Sequence, residues 1–148
     1  MTDTYHKESQ LGASRRRLED ASALHSCKRW SGSIYLGGYA IECSLKSLIC
    51  FDEEKSNFKD TSVFKEGIQG ASLHNLAILF GKISSLSRII EIDRTGKYKD
   101  EWKIITSTWV SNEIRYSPYL GDEKASTQFI NAVKRWHQII LDKQGEAS

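Results

Sequence analysis

Apolar residues recur at helical spacing in the first third of the chain. In residues 12–27 they form a stripe with charged residues around the rest of the axis, which is the pattern of an amphipathic helix. In residues 32–51 the apolar residues surround the axis almost completely. A helix that is apolar on every side is typical of a buried position. The pattern therefore predicts an amphipathic first helix and a second helix at the centre of the fold.

Three further helices are predicted in the remainder. Residues 73–86 carry apolar residues at helical spacing, and Ser72 precedes them as the expected N-cap. Residues 98–114 form a fourth pattern that ends before Pro118, because proline disfavours helical backbone in the residue before it. Asp122 is the expected cap of a fifth, amphipathic helix of about twenty residues.

The intervening segments are predicted to be connections. The segment 51–69 begins with acidic residues and has glycine breakers near its end, so we expect a loop with about one turn of helix there. Residues 89–97 are expected to be a second connection. No segment alternates with period two long enough to form a sheet. The sequence thus predicts an all-α, antiparallel up-and-down bundle of four or five helices, a single domain over 1–148 with its core at about 12–142 and flexible ends.

Composition places the chain among soluble globular proteins. Its 148 residues are 39% hydrophobic and 27% charged, and a net charge of +2 demands no acidic partner. The first ten residues are polar and do not resemble a secretory signal. The longest apolar stretch contains Glu42 and Lys46, so it is short and charged for a membrane span. We expect a cytoplasmic protein with no membrane association.

The three cysteines do not form an obvious disulfide or metal site. Cys43 and Cys50, if they share a helix, lie about 10.5 Å apart along its axis, which is too far for a disulfide. Cys27 has His25 only two residues before it, on a different helical face, and the chain contains no C-x-x-C pair. We expect three reduced, mostly buried thiols, no metal and no cofactor.

Sequence motifs of the common nucleotide-binding, hydrolase, zinc-protease and calcium-binding sites are absent from the chain. The residues that remain as candidates for chemistry are polar and spread over several predicted helices: Tyr39, Glu42, Lys46, His74, Arg115 and Tyr116.

Several of these candidates lie in motifs that resemble a known family. The run GYAIECSLKSLI over 38–49 contains a Gly-x-x-hydrophobic-Glu-x-x-Leu-Lys pattern, and LHNLAIL, RYSP and a final amphipathic helix follow it in order. This arrangement, over about residues 14–142, resembles HEPN domains (higher eukaryotes and prokaryotes nucleotide-binding).

The resemblance implies an all-α bundle that usually dimerises. Many HEPN proteins are metal-independent endoribonucleases of toxin–antitoxin, abortive-infection or CRISPR systems, often with a nucleotidyltransferase partner, whereas others only bind RNA or nucleotides. The active members carry an arginine followed, after four to six residues, by a histidine. Arginine stabilises charge on the scissile phosphate, and histidine exchanges protons with the reacting oxygens.

Arg115 matches the arginine of that motif, but no histidine follows at the required spacing. Positions 120–122 are Leu, Gly and Asp, and none of the four histidines of the chain follows an arginine at that distance. The resemblance therefore predicts a protein that binds RNA, a nucleotide or a partner protein, with Tyr39, Glu42, Lys46 and Tyr116 as binding residues. The alternative is a ribonuclease with a variant site formed by Arg115 and His74.

Each candidate also has a structural interpretation. Glu42 and Lys46 are four residues apart in the stabilising order, so they suit an ion pair within the helix as well as a ligand site. His74, beside Asn75, is expected to cap or buttress the third helix rather than to catalyse. Arg115 either complements the dipole at the end of its helix or contacts a phosphate.

Two basic clusters, 15–17 with 28–29 and 94–103, either contact phosphates or form solvated faces. Trp102, Trp109 and Trp136 are predicted to be core or dimer residues, because together they offer more aromatic surface than one small bundle easily covers. A homodimer is therefore expected. His137, one position after Trp136, is predicted at the boundary between the apolar and polar faces of the last helix, and Trp30 is expected to be less buried.

Overall fold

The structure is a computed structural model that describes residues 3–67, 70–110 and 116–146. The described residues form no β-sheet, and an isolated bridge joins His6 to Asn57. This confirms the all-α prediction. Seven α-helices occur in these ranges, with short 3-10 turns at Phe58–Asp60 and Gly70–His74: α1 (Lys7–Ser26), α2 (Trp30–Asp52), α3 (Ser62–Lys65), α4 (Leu76–Gly81), α5 (Ser84–Ile92), α6 (Lys97–Thr108) and α7 (Glu123–Asp142).

Helices α1 and α2 form an antiparallel hairpin, the main contact of the fold. The turn between them places Lys28 in left-handed backbone at φ 61°, which is uncommon for a residue other than glycine. The N–H of Arg29 donates to the Leu24 carbonyl at 2.8 Å and closes the turn. The buried Ser33 hydroxyl donates to the Ala21 carbonyl at 2.7 Å, so the two helices are also joined inside the core.

Helix α2 is the central helix, as its all-round apolar pattern predicted. It packs against α1, α4 and α7, and all of its large aliphatic residues except Leu36 are buried. By length and composition alone α2 could cross a membrane, with a mean hydropathy of 1.2 in its most apolar window, but 72% of that window is buried inside the bundle. Such burial is typical of the core helix of a soluble protein.

Helix α7 confirms the prediction for the end of the chain. Its N-terminus is capped by Asp122, whose carboxylate accepts the N–H of Ala125 at 2.9 Å. Phe129, Trp136 and Ile140 are fully buried, so one face of α7 covers α2 and α6.

Helix α1 begins at Lys7, five residues before the predicted start at residue 12. The first residues of α1 are polar and show no apolar stripe, so the sequence pattern did not indicate a helix there. A distant segment holds the backbone at this end of the helix. The N–H of Lys7 donates to the Ser56 carbonyl at 2.7 Å, and the N–H of Phe58 donates to the Tyr5 carbonyl at 2.9 Å. Leu11 is 7% exposed, so the buried core includes a residue before position 12.

The single helix predicted over 73–86 is wrong, because the chain bends at Ile83 and forms α4 and α5 instead. The extended backbone of Ile83, at φ −116° and ψ 96°, separates them and turns its side chain into the core, where it is 1% exposed. Helix α4 is capped by Asn75, not by Ser72. Helix α5 continues to Ile92, so the predicted connection over 89–97 shrinks to four residues, and the described chain has seven helices instead of four or five.

Helix α6 ends at Thr108 and does not continue to residue 114 as predicted. Trp109 has extended backbone, and its indole lies directly on Gly38 of α2, where an added Cβ would meet Nε1. The same Nε1 donates to the Tyr35 carbonyl at 3.1 Å. The tryptophan therefore docks on the central helix after the helical pattern has ended. Residues 111–115 lie outside the described part of the chain.

The three tryptophans that motivated the homodimer are buried within one chain. Trp102, Trp109 and Trp136 are 9%, 2% and 0% exposed. The rings of Trp102 and Trp136 pack edge to face at 5.5 Å between centroids, and Phe80 stacks on Trp102 at 4.2 Å. The helices of one chain thus cover an aromatic cluster that was predicted to be too large for a single small bundle. These tryptophans therefore give no reason to expect a dimer.

Candidate functional site

The candidate site is built on one face of α2, where Tyr39, Glu42 and Lys46 follow one another at helical spacing. Glu42 is 4% exposed and Lys46 is 3% exposed. Lys46 Nζ lies 3.0 Å from Glu42 Oε2, so the ion pair that their spacing predicted does form. Since isolated charges are very unfavourable in such an environment, each of these residues depends on the other for its burial.

His74 adds a third member to this pair from another part of the chain. It ends the 3-10 turn Gly70–His74, and its Nδ1 lies 3.0 Å from Oε1 of Glu42. The Glu42 carboxylate therefore bridges Lys46 and His74, one oxygen to each. Asn75, not His74, caps α4. His74 instead supports the start of this helix through its contact with Glu42.

Two aromatic rings from distant segments close over Lys46. Nζ of Lys46 lies 5.7 Å from the ring centroid of Tyr5 and 5.7 Å from that of Phe58, within range of a cation–π interaction. The two rings stack on each other with centroids 6.4 Å apart. Tyr5 and Phe58 were not among the predicted site residues, because nothing in the sequence around positions 5 and 58 indicates that these rings meet Lys46.

Solvent reaches this cluster through His74. Its side chain is 33% exposed, whereas those of Glu42 and Lys46 are 5% and 4% exposed. With Nδ1 directed at Glu42, the ring presents Nε2 as its second polar atom, and no described residue hydrogen-bonds to it. A carboxylate that holds one nitrogen of an imidazole orients the other, so this arrangement can exchange a proton with a ligand at Nε2.

The remaining predicted site residues have other surroundings. Tyr39 is half-buried and packs edge to face against Tyr35 and Trp109, each at 5.1 Å between centroids. Tyr116 is 85% exposed. Arg115 lies outside the described residues. The structure thus brings Glu42, Lys46 and His74 together and places Tyr116 on the surface.

Histidines 25 and 137 serve the packing of the helices. His25 Nδ1 lies 2.8 Å from the Ser126 hydroxyl and joins α1 to α7. His137 is 3% exposed, so it lies within the buried face of α7 and not at the edge of that face as predicted. Its Nε2 lies 3.1 Å from the Ser14 hydroxyl, which itself donates to the Leu11 carbonyl. Burial, with a smaller effect of Arg15, lowers the pKa of His137 to about 4, so this ring is a neutral donor at neutral pH.

The thiols near the central helix are poor nucleophiles. Burial, with the neighbouring Glu42 carboxylate, raises the pKa of Cys43 to about 11, and burial raises that of Cys50 to about 11 as well. Both are therefore protonated at neutral pH. Cys27 is exposed, contrary to the general expectation of burial. Among the described residues, no three His, Cys, Asp or Glu side chains come close enough to hold a metal ion.

Both predicted basic clusters lie on the surface. Arg16, Arg17, Lys28 and Arg29 are exposed around α1, and so are residues 94, 97, 99 and 103 around α6. Two charges of the first cluster have acidic neighbours, since Arg17 lies 3.9 Å from Asp20 and Arg15 lies 3.2 Å from Glu146. Lys28 and Arg29 form no ion pair among the described residues.

Comparison with protein-family models, with curated proteins and with solved structures found no match to this chain. The resemblance to HEPN domains therefore rests on the residues of the chain itself: the Gly-x-x-hydrophobic-Glu-x-x-Leu-Lys run on α2, the histidine before α4 and the arginine-tyrosine pair before α7.

Proposed function

We propose that this chain is a HEPN-like RNA- or nucleotide-binding component of a bacterial toxin–antitoxin or defence module, acts in the cytoplasm, and is not a standard ribonuclease. The observation that carries this proposal is the exposure of Tyr116 and Tyr119, at 85% and 65%, in the segment that follows Arg115. Active HEPN proteins would have their histidine close to this position. Exposed aromatic rings are the surfaces on which unpaired bases stack.

The exposed basic residues support the same function. Lys28 and Arg29 at the turn after α1, together with the basic residues around α6, are available for contacts with phosphates. Because the net charge of the chain is only +2, we expect RNA binding to depend on where these basic residues cluster and not on the overall charge.

The test is direct binding of a labelled single-stranded RNA to the purified protein at low salt, measured by fluorescence anisotropy. We expect Tyr116→Ala to weaken binding by about tenfold, the loss typical of one stacked base. Phe51→Ala is a matched control, because Phe51 is also an exposed ring, at 42%, but lies at the C-terminal end of α2. Absence of RNA and nucleotide binding by the unmodified protein would contradict the proposal.

A homodimer and a nucleotidyltransferase partner, both implied by the resemblance, belong to this proposal. Light scattering at micromolar concentration should return about twice the chain mass of 16.8 kDa. A mass near that of one chain would exclude the homodimer. A neighbouring gene for a nucleotidyltransferase would support the proposed module.

The contact between Glu42 and His74 favours a second function, a metal-independent endoribonuclease with a variant site. A buried carboxylate that orients an imidazole is the arrangement used by many general bases, and the ring here is accessible at its other nitrogen. Arg115 would stabilise the phosphate charge and Tyr116 would position the strand. Lys46, 3.0 Å from the other oxygen of the same carboxylate, would help to hold Glu42 in the position that orients His74.

This second function predicts RNA cleavage that persists in the presence of a metal chelator. His74→Ala and Arg115→Ala should each lower the cleavage rate by at least about a hundredfold. His6→Ala is the matched control, because His6 also contacts a glutamate, at 2.6 Å, but on the surface beside α1. Intact RNA after incubation with the unmodified protein, with and without Mg²⁺, would reject this alternative.

A further inference from the structure

A groove opens on the surface between the α1–α2 turn and the segment that leads into α7. Its volume is about 560 Å³, and it is lined among others by Leu24, Lys28, Arg29, Trp30 and Tyr119. A smaller hollow of about 390 Å³ continues it past Leu24 along Ser31 and Gly32. None of the residues proposed above from the HEPN motifs on α2 and before α4 lines this groove.

One wall of the groove is fixed to α2. The N–H of Leu120 donates to the Ser31 hydroxyl at 3.0 Å, and the Ser117 hydroxyl donates to the Tyr119 carbonyl at 2.7 Å. Gly121 packs so tightly that an added Cβ would lie 2.9 Å from Cδ1 of Ile34. The segment that carries Tyr119 is therefore held in place while its ring remains 65% exposed.

The second aromatic residue that lines the groove is Trp30, the first residue of α2. Its indole packs edge to face against His25 with centroids 5.1 Å apart, and His25 is held in turn by Ser126 at 2.8 Å. Trp30 is half-buried, so part of the ring remains accessible. Two aromatic side chains, one anchored and one exposed, thus line the same groove.

The charged residues around the groove indicate which kind of ligand it can bind. Lys28 and Arg29 lie on its rim, and no carboxylate is among its described lining residues. The larger groove between α6 and α7, of about 770 Å³, differs in this respect, because Glu101 and Asp142 lie among its lysines and Glu101 lies 2.8 Å from Arg135. The first groove therefore suits an anion that also carries a flat apolar surface.

We propose that the groove lined by Trp30 and Tyr119 binds single-stranded RNA, with a base against the aromatic rings and the adjacent phosphates at Lys28 and Arg29. This inference rests on the proposed function and locates its binding surface. Unpaired bases of any RNA sequence can stack on aromatic side chains, and lysine and arginine neutralise the phosphates that link those bases. A flat, sequence-tolerant site of this kind requires no specific hydrogen bond to a base.

The experiment is anisotropy with a labelled RNA of about 12 nucleotides, a length within the range that single-strand binding domains cover. Tyr119→Ala should weaken binding at least about tenfold, and its 65% exposure makes the substitution harmless to the core. Trp30→Ala should do the same, while Trp30→Phe should retain most of the affinity because it keeps an aromatic ring.

The charged residues are tested by salt dependence. The double variant Lys28→Ala/Arg29→Ala should weaken binding and lower the slope of log affinity against log salt by about two, one for each lost phosphate contact. The double variant Lys134→Ala/Lys143→Ala is the matched control, because it removes the same charge from exposed positions on α7 and just after it, outside both basic clusters, and should leave the slope nearly unchanged.

The outcomes separate this inference from the proposed function. If the unmodified protein binds RNA and the groove variants bind it equally well, the groove is wrong and the proposed function stands. If the unmodified protein binds neither RNA nor nucleotides, both fail. Displacement of the RNA by an equal concentration of a free mononucleotide, or binding of the protein to anionic vesicles without RNA binding, would also overturn the assignment of the groove to RNA.

Discussion

Oε1 of Glu42 lies 3.0 Å from Nδ1 of His74, although 32 residues separate them in the chain. The same carboxylate accepts a hydrogen bond from Lys46 at 3.0 Å with its other oxygen. A side chain that is almost completely buried thus links the central helix to the segment before α4. Both the stability of the bundle and the orientation of the accessible histidine depend on this one carboxylate.

Glu42→Ala should destabilise the protein by about 3–5 kcal/mol, because it leaves the Lys46 ammonium buried without its counter-charge. Urea denaturation followed by circular dichroism measures the change. Asp20→Ala is the control, since it removes an exposed carboxylate 3.9 Å from Arg17 and should cost less than about 1 kcal/mol. Equal effects of the two substitutions would show that the buried pair contributes nothing special to stability.

Stability should fall between pH 7 and pH 5 because of His137. Burial holds its pKa at about 4 in the folded protein, against 6.5 when unfolded, so the unfolded chain binds the extra proton first as the pH falls. Its contribution is complete well above pH 6.5, has decreased by about 2 kcal/mol at pH 5, and levels off only below about pH 4.

Urea denaturation at several pH values measures this dependence, and His137→Gln should remove most of the slope above pH 5. His6→Gln should keep the slope, because His6 lies beside Glu8 on the surface. A slope that survives His137→Gln would assign the acid sensitivity to other groups.

Gly38→Ala should destabilise the fold by about 1–3 kcal/mol, the usual effect of overpacking. The added methyl group would overlap the indole of Trp109, which has to move and lose its hydrogen bond to the Tyr35 carbonyl. Thermal unfolding measures the loss. Gly81→Ala, also within a helix but with open space around its Cα, should be neutral or stabilising, and a similar loss there would contradict the explanation.

Thiol-reactive reagents should modify one of the three cysteines quickly under native conditions. Cys27 is exposed, whereas burial raises the pKa of Cys43 and of Cys50 to about 11 and keeps both thiols protonated. A colorimetric thiol assay should show one fast equivalent and two slow ones, and Cys27→Ser should remove the fast phase. Two or three fast equivalents would mean that the central helix is accessible.

The sequence by itself determined the features that depend on local spacing. The apolar residues around the axis of α2 predicted its central position, and the stripe after Asp122 predicted α7 and its cap. The four-residue spacing of Glu42 and Lys46 predicted their ion pair. In each case the information lies within one or two helical turns, where backbone geometry alone sets which side chains meet.

Only the tertiary structure decided which distant segments meet. The break at Ile83, the docking of Trp109 on Gly38 and the placement of Tyr5 and Phe58 over Lys46 all satisfy packing between elements far apart in sequence. The contact of His74 with Glu42 belongs to the same class. Helical periodicity does not predict such contacts. The partner of a buried charge, or the side chain that packs on a glycine, comes from a segment that only the complete fold brings close.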